Sequence, residues 1–449
     1  MFKIKELIIH GRISLAQAGS KNSFRKVVID SRQVAAGDIF VAIKGKRLDG
    51  HDFIKQAVKN GAGCIIAQKD LSAQVPKSVT FLVGKDTLKV LGYLASYVRN
   101  KFNPVVIAVT GSNGKTTTKD MLSWVLSGAF KVLKTKGTKN NHIGLPMTLL
   151  ELSGKHQVVV LELGTNHFGE IEYLAQIASP DIGVITNIGC SHLEYLKDLQ
   201  GVFSEKYSLI RNLRPKGIAV FNYDDPFLYR KASGVKSPIS IGFGINKKSD
   251  FQASSVRLFK EKAMFVVNNR QRVALSTCGQ YNVYNALSSV ATARILGVSY
   301  KQIASRLRNF KFPQGRLSII KKGSLKFIDD TYNCNPLSLK MALQALKDYP
   351  VKKRRILVMA DMLELGENSK NFHKESGEFA AGVCDVIICV GKLAKYAAKQ
   401  AVKNGAQSVF TCESAQEAKN ILLDKVNPDK HDLILVKGSR SMKMEGVIT

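Results

Sequence analysis

The chain has 449 residues, 45% hydrophobic and 23% charged, a balance that fits a soluble globular protein of two to four domains with sizeable cores. No apolar run approaches the length that spans a bilayer, and the start MFKIKELIIHGRIS lacks the apolar core and cleavage site of a secretory signal, so the expected compartment is the cytoplasm. Lysine and arginine outnumber aspartate and glutamate by 67 to 35, a net charge of +32, but these cations are spread along the chain, which favours diffuse surface charge over a nucleic-acid footprint.

Residues 1–102 carry short strand patterns (VVID, DIFVAIKG, CIIAQ) and a helix pattern over 51–60, enough for a small α/β domain. Asn103-Pro104 then opens VVIAVTGSNGKTTT, whose unbroken apolar run Val105 to Val109 suits a parallel strand covered on both faces. Gly111 and Gly114 let the backbone turn sharply and bring amides to phosphate oxygens, and the helix that follows offers the positive end of its dipole. Lys115 is placed to neutralise β and γ phosphates, and Thr116 to offer a hydroxyl to magnesium. The loop departs from the general phosphate-loop pattern, since Val109 stands where that pattern has its first glycine.

Further strands are expected at QVVVLEL, IGVITNI and GIAVFNY, and antiparallel strands over 251–277 around Asn268-Asn269, before a helix over 282–296. Glu162 ends the first of these strands, at the carboxyl edge where ligands of an open parallel sheet gather, and such a carboxylate can hold magnesium. His192 follows another strand end and reads as a metal ligand or as a hydrogen-bonded structural histidine. Lys206, within a helical pattern, reads on its own as a surface lysine.

The last third repeats strand and helix: LKFIDD, a helix after Pro336, RILVMAD, a helix to Ala381, VIICVG, SVFTC and LILVKGS. That alternation predicts a doubly wound sheet, and the lack of a G-x-G-x-x-G motif removes the case for a dinucleotide. Asp330 again stands at a carboxyl edge, with Arg316 near it in sequence, so this domain is expected to complete the nucleotide site. The seven cysteines form no C-x-x-C pair and read as core residues of a reducing compartment.

Eight segments stand in order along nearly the whole chain: IDSRQVAAGDIFVAIKGKRLDGHDF, TGSNGKTTTKDM, KNNHIGLPMTLL, ELGTNHFGEI, NIGCSHLEYL, DDTYNCNPLSLKMAL, ADMLELGENS and LVKGSRSMKME. On these the chain resembles the Mur ligases, ATP-dependent amide-bond-forming enzymes of bacterial peptidoglycan precursor synthesis. YNCNP and DMLELGE point to the branch that adds D-alanyl-D-alanine to UDP-N-acetylmuramoyl-tripeptide.

The resemblance implies three α/β domains: 1–102 binding the UDP-sugar, a central P-loop ATPase domain over 103–311 with a mostly parallel sheet, and a C-terminal Rossmann-like ligase domain over 312–449. It implies that Ser31, Arg32, Lys44, Gly45, Asp49, Gly50 and His51 hold the UDP-sugar, and that Asn140 and Asn141 meet the substrate nearer the reaction centre. Thr110, Gly111, Ser112, Asn113, Gly114, Lys115, Thr116 and Thr117 would bind the ATP phosphates, with Asn285 on the adenine side, Arg316 at the γ phosphate and Asp330 at the ribose. Tyr332, Asn333 and Asn335 would face the site from the third domain. Thr116, Glu162, His192 and a carbamylated Lys206 would hold two Mg2+ ions, and Lys115, Glu162, His192, Lys206 and Arg316 would carry the catalysis.

The chain departs from the family pattern at His142, Ser208, Tyr281 and Ala360. A monomer is implied, with no nucleic-acid partner, and peripheral membrane contact stays open. Other readings are a folylpolyglutamate-synthase-like ligase, which is expected to lack the DSR segment, a nucleic-acid-dependent ATPase, and a scaffold without turnover, against which the intact Lys115, Glu162, His192 and Asp330 argue.

Overall fold

A computed structural model of the protein describes residues 2–232 and 239–449. The chain divides into two compact units, the first made of residues up to 108 with 130–165 and 170–181, the second of 109–129, 166–169 and 182–449.

In the first unit, Ser14–Gln17, Thr80–Val83, Cys64–Ala67, Ile39–Val41 and Val27–Val28 form a five-stranded sheet in that order, antiparallel at the first pairing and parallel thereafter. The helix Thr87–Phe102 starts where the Asp86 carboxylate accepts the amides of Leu88 and Lys89, at 2.9 and 3.1 Å. It ends at Asn103, left-handed at φ 44°, with Pro104 blocking continuation. Arg99 in its last turn is fully buried, and is satisfied by the carbonyls of Ala178 and Ser179 and by the Asp181 carboxylate at 3.1 Å. Val132–Lys134 and Val158–Glu162 also pair in parallel, at the end of the nine-stranded sheet that includes Val105–Thr110.

In the second unit, Ile182–Ile185, Ile218–Asn222, Ile239–Gly244 and Phe251–Phe259 pair parallel in sequence order, and Lys262–Val267 and Gln271–Leu275 continue the sheet antiparallel. The turn expected at Asn268-Asn269 is there, both residues being left-handed as a tight hairpin needs. A second reversal at 260–261 gives three strands over this stretch.

The last third forms a six-stranded sheet in the order Ser318–Lys322, Leu325–Asp330, Leu433–Lys437, Arg355–Ala360, Val386–Val390, Ser408–Cys412, parallel except at the first pairing. Along Arg355–Ala360 the side chains alternate between two buried clusters, Leu357 and Met359 on one face with Leu343 and Ile387, Ile356 and Val358 on the other with Ile434 and Leu422. Burial on both faces is why this strand reads as an unbroken apolar run. Among the described residues no helix is long and apolar enough to cross a membrane.

Candidate functional site

The strand Val105–Thr110 delivers the glycine loop to the helix Lys115–Leu126. Gly111 holds φ +145°, and a Cβ there would lie 2.0 Å from the Thr186 hydroxyl; at Gly114, φ +83°, it would lie 2.4 Å from Asn285 Oδ1. Only glycine lets the loop lie this close to its neighbours. The loop is fastened from outside: Asn187 Oδ1 accepts the Asn113 amide at 2.9 Å, the Asn187 carbonyl accepts the Ser112 amide at 2.9 Å, and the Ser112 hydroxyl donates to the Gly189 carbonyl at 2.8 Å. Lys115 Nζ folds over the loop, 2.6 Å from the Gly111 carbonyl, and Thr110 and Thr117 are buried beneath it.

Gly111→Ala is therefore expected to cost at least about 1–3 kcal/mol of local strain and to weaken nucleotide binding tenfold or more. Calorimetric titration with ADP checks this, and an unchanged affinity contradicts it.

Residues from the last third sit on the same loop. Arg316 donates from Nη2 to Thr116 Oγ1 at 3.1 Å, and its guanidinium lies 3.9 Å over the Tyr332 ring. Asn335 caps the helix Pro336–Asp348 and exchanges amide hydrogen bonds with Asn113, at 2.9 and 3.3 Å. Asp330 is buried against Lys437, whose ammonium donates to its carboxylate and, at 2.9 Å, to the Asn333 carbonyl. Asp330 Oδ1 also accepts the Leu317 amide, at 3.1 Å.

Asn285 accepts from the Thr118 hydroxyl at 3.2 Å and donates to Asn282 Oδ1 at 3.0 Å. It borders a cavity of about 250 Å³ with Asn113, Gly114, Phe243, Tyr284 and Met341. Asp224 also lines it, bound to the amides of Ile245, Asn246 and Lys247 and to the Tyr284 hydroxyl. Sequence reasoning missed Asp224, Tyr284 and Lys437; the acidic pair closing the strand GIAVFNYDD was the available signal for the first.

Lys206 corrects its reading as a surface lysine. It is 1% exposed on the helix Leu199–Arg211 and has no salt-bridge partner among the described residues. Burial, with the Lys115 ammonium adding to it, drives its pKa well below the lysine range. Ser208, two residues on, donates to the Ser204 carbonyl at 3.2 Å, and the neighbouring Glu205 accepts the Gly169 amide at 2.8 Å. His192 takes a left-handed backbone, φ +55°, and its Nδ1 is 2.6 Å from Glu364 Oε2.

Burial also lowers the pKa of His373, which is wholly enclosed; its Nε2 accepts the Met362 amide at 3.0 Å, so the ring is neutral. Unfolded, this ring takes up a proton near 6.5, whereas folded it does so only at lower pH. The contribution to stability is thus intact above 6.5 and is lost as pH falls from there toward the folded value. Urea midpoints are expected to hold steady down to about pH 7 and to decline below about 6.5, less steeply in His373→Gln; a midpoint flat to pH 5.5 contradicts this.

In the first unit, Glu162 closes its strand, its amide donating to Thr135 Oγ1 at 3.1 Å and its Oε1 accepting from Asn140 Nδ2 at 2.8 Å. Asn141 Oδ1 accepts the amides of Ile143 and Gly144 and so opens the next helix. In the N-terminal sheet region the buried Ser31 hydroxyl donates to Gln56 Oε1 at 2.6 Å, while the exposed Arg32 pairs with Asp30 at 2.8 Å. Lys44 and Asp49 bridge a turn that includes Gly45, whose amide donates to the Leu48 carbonyl at 2.9 Å. Asp49 Oδ1 is 2.5 Å from His51 Nδ1, and His51 Nε2 accepts the Gln68 amide at 2.9 Å. A Cβ on Gly50 would meet the Ile43 backbone at 2.6 Å. This ring is thereby fixed with Nδ1 as donor.

Comparison with known proteins gives consistent matches along the chain. Residues 23–109 match the Mur ligase family catalytic domain, 109–293 the Mur ligase middle domain, and 315–440 the Mur ligase glutamate ligase domain. The chain is 34% identical to the UDP-N-acetylmuramoyl-tripeptide–D-alanyl-D-alanine ligase of Bacillus subtilis, over 94% of this chain and 92% of the relative. It is similar to the crystal structure of MurF from Acinetobacter baumannii (TM-score 0.91, 34% identity, 100% of this chain and 98% of that one). It is also similar to MurF ligase from Thermotoga maritima in complex with ADP (TM-score 0.85, 30% identity, 94% and 96% covered).

Proposed function

Because the chain belongs to the Mur ligase family, with its three-domain α/β architecture, we propose that it joins D-alanyl-D-alanine to UDP-N-acetylmuramoyl-tripeptide, cleaving ATP to ADP and phosphate. The observation that carries this reading is the glycine loop itself, fastened by Asn187 and Thr186 and met by Arg316 and Asn335 of the last third.

The working division is residues 1–102 for the UDP-sugar, 103–311 for ATP and 312–449 for ligation. The tripeptide's terminal carboxylate attacks the γ phosphorus, expelling ADP and leaving an acyl phosphate. The dipeptide amine then adds to the acyl carbon, loses a proton, and phosphate departs as the amide forms. Both steps concentrate negative charge on phosphate oxygens, and Lys115 and Arg316 are the fixed cations that stabilise it. Asn285 and Asp330 hold the nucleoside. Ser31, Arg32 and the 44–51 turn hold the UDP-sugar, and Asn140, Asn141, Tyr332, Asn333 and Asn335 orient the peptide ends.

The donor set suits magnesium, which takes few protein oxygens and is completed by phosphates: Thr116 and Glu162 would hold one ion and His192 with a carbamylated Lys206 a second, and when bound they would neutralise charge on the transferring phosphoryl group. Lys206 fits this role because burial and the Lys115 ammonium push its amine toward the neutral form, the one that captures carbon dioxide. The enzyme is read as a monomer of the bacterial cytoplasm without a nucleic-acid partner.

Phosphate release from ATP and magnesium tests the reading, with each of the meso-diaminopimelate and lysine tripeptides, and with and without D-alanyl-D-alanine. Turnover only with the complete set supports it and identifies the preferred tripeptide. Silence with every combination, from a folded protein that binds ATP, points to a related ligase.

A further inference from the structure

The segment DMLELGE, residues 361–367, has no part in the chemistry above. It follows the strand Arg355–Ala360, and its turn is held from several sides. The Ala394 amide donates to Asp361 Oδ1 at 2.7 Å, the Met362 amide to His373 Nε2 at 3.0 Å, and the Leu363 amide to the Ser439 hydroxyl at 2.9 Å. From this turn Glu364 emerges at φ +62°, a conformation that residues other than glycine rarely adopt. Its carboxylate reaches His192 Nδ1 at 2.6 Å, and its carbonyl accepts the Glu194 amide at 3.2 Å. Gly366, beside Glu194, takes φ +64°, a conformation that favours glycine. Two left-handed residues, one on each segment, thus meet through a single side-chain contact.

A carboxylate only accepts, so in the neutral ring Nδ1 carries the hydrogen and Nε2 keeps its lone pair. We propose that Glu364 is a positioning residue, which fixes the tautomer and ring orientation of His192 so that Nε2 is presented to a divalent cation. The arrangement is the carboxylate–histidine–metal pattern, in which the outer carboxylate sets the orientation and basicity of the ligand. It makes the histidine ready for metal only when the 361–367 turn is seated on the 189–196 loop. The inference rests on the reading of His192 as a magnesium ligand.

The test uses full-length protein labelled with 15N-histidine at about pH 8, where an imidazole is neutral, with His192→Asn identifying the resonance. Wild type and Glu364→Gln are expected to show the Nδ1–H tautomer without any metal present, since a glutamine carbonyl still accepts that hydrogen. Glu364→Ala is expected to show a mixture containing Nε2–H. In the same proteins the magnesium concentration for half-maximal phosphate release should rise about 10–100-fold in Glu364→Ala and stay near wild type in Glu364→Gln; Glu364→Ser replaces the alanine variant if that does not fold. An unchanged tautomer in the truncated variant, or a glutamine variant as impaired as alanine, overturns the proposal. If the wild type forms no amide, the ligase reading fails, while the tautomer measurement still decides the role of Glu364.

Discussion

Lys206→Ala is expected to lower kcat with all three substrates by about 10²–10³-fold, the usual loss when one group that stabilises transition-state charge is removed. The side chain is 1% exposed, and no carboxylate among the described residues pairs with it. A lysine that served only the fold would be a poor choice there, because an unpaired ammonium is expensive to bury. Burial favours the neutral amine, which escapes that penalty, and the Lys115 ammonium pushes the same way. An amine held toward its neutral form near Lys115 is chemically useful once carbon dioxide converts it to an anion. The variant should remain folded, since a small neutral residue replaces a group without a salt bridge. A 13C resonance of a carbamate, seen in 13CO2-equilibrated wild type and absent from the variant, would accompany the loss. Activity within twofold of wild type in Lys206→Ala rules the modification out.

Lys437→Met is expected to destabilise the protein by about 3–5 kcal/mol, the range for breaking a buried ion pair from one side. Lys437 and Asp330 are register partners on adjacent parallel strands, 1% and 6% exposed, so their side chains share one face with little water to replace either partner. The Leu317 amide on Asp330 Oδ1 offsets only part of the carboxylate's charge. Urea unfolding checks the figure, and the double variant Lys437→Met with Asp330→Leu should recover much of the loss, because the charge left behind is then gone. A single variant within 1 kcal/mol of wild type contradicts this. Asp330 is also the proposed ribose ligand, so the KM for ATP should rise in the single variant.

What could be read in the sequence follows from burial on two faces. RILVMAD and LILVKGS are central strands, continuous and apolar, and they stand where the pattern put them. Ser318–Lys322 was not anticipated: it is an edge strand ending in two lysines and alternates too little to signal itself. The helix Tyr300–Arg308 was likewise missed, although Ser299 and Gln302 form a capping box at its start. The glycine loop was legible because its chemistry is local. Lys206 was singled out only by the family resemblance, since a single lysine at a helical position looks the same whether the helix face meets water or a core. Lys437 and Glu364 take their roles from partners 107 and 172 residues away, and no local pattern carries that information.

The most direct test of carboxylate activation by ATP is an isotope experiment. UDP-N-acetylmuramoyl-tripeptide labelled with 18O in its terminal carboxylate is incubated with ATP, magnesium and D-alanyl-D-alanine, and the released phosphate is analysed by 31P NMR. One 18O atom transferred to phosphate for each amide formed is the expected result. Phosphate released without label, or at the same rate without the tripeptide, would contradict it.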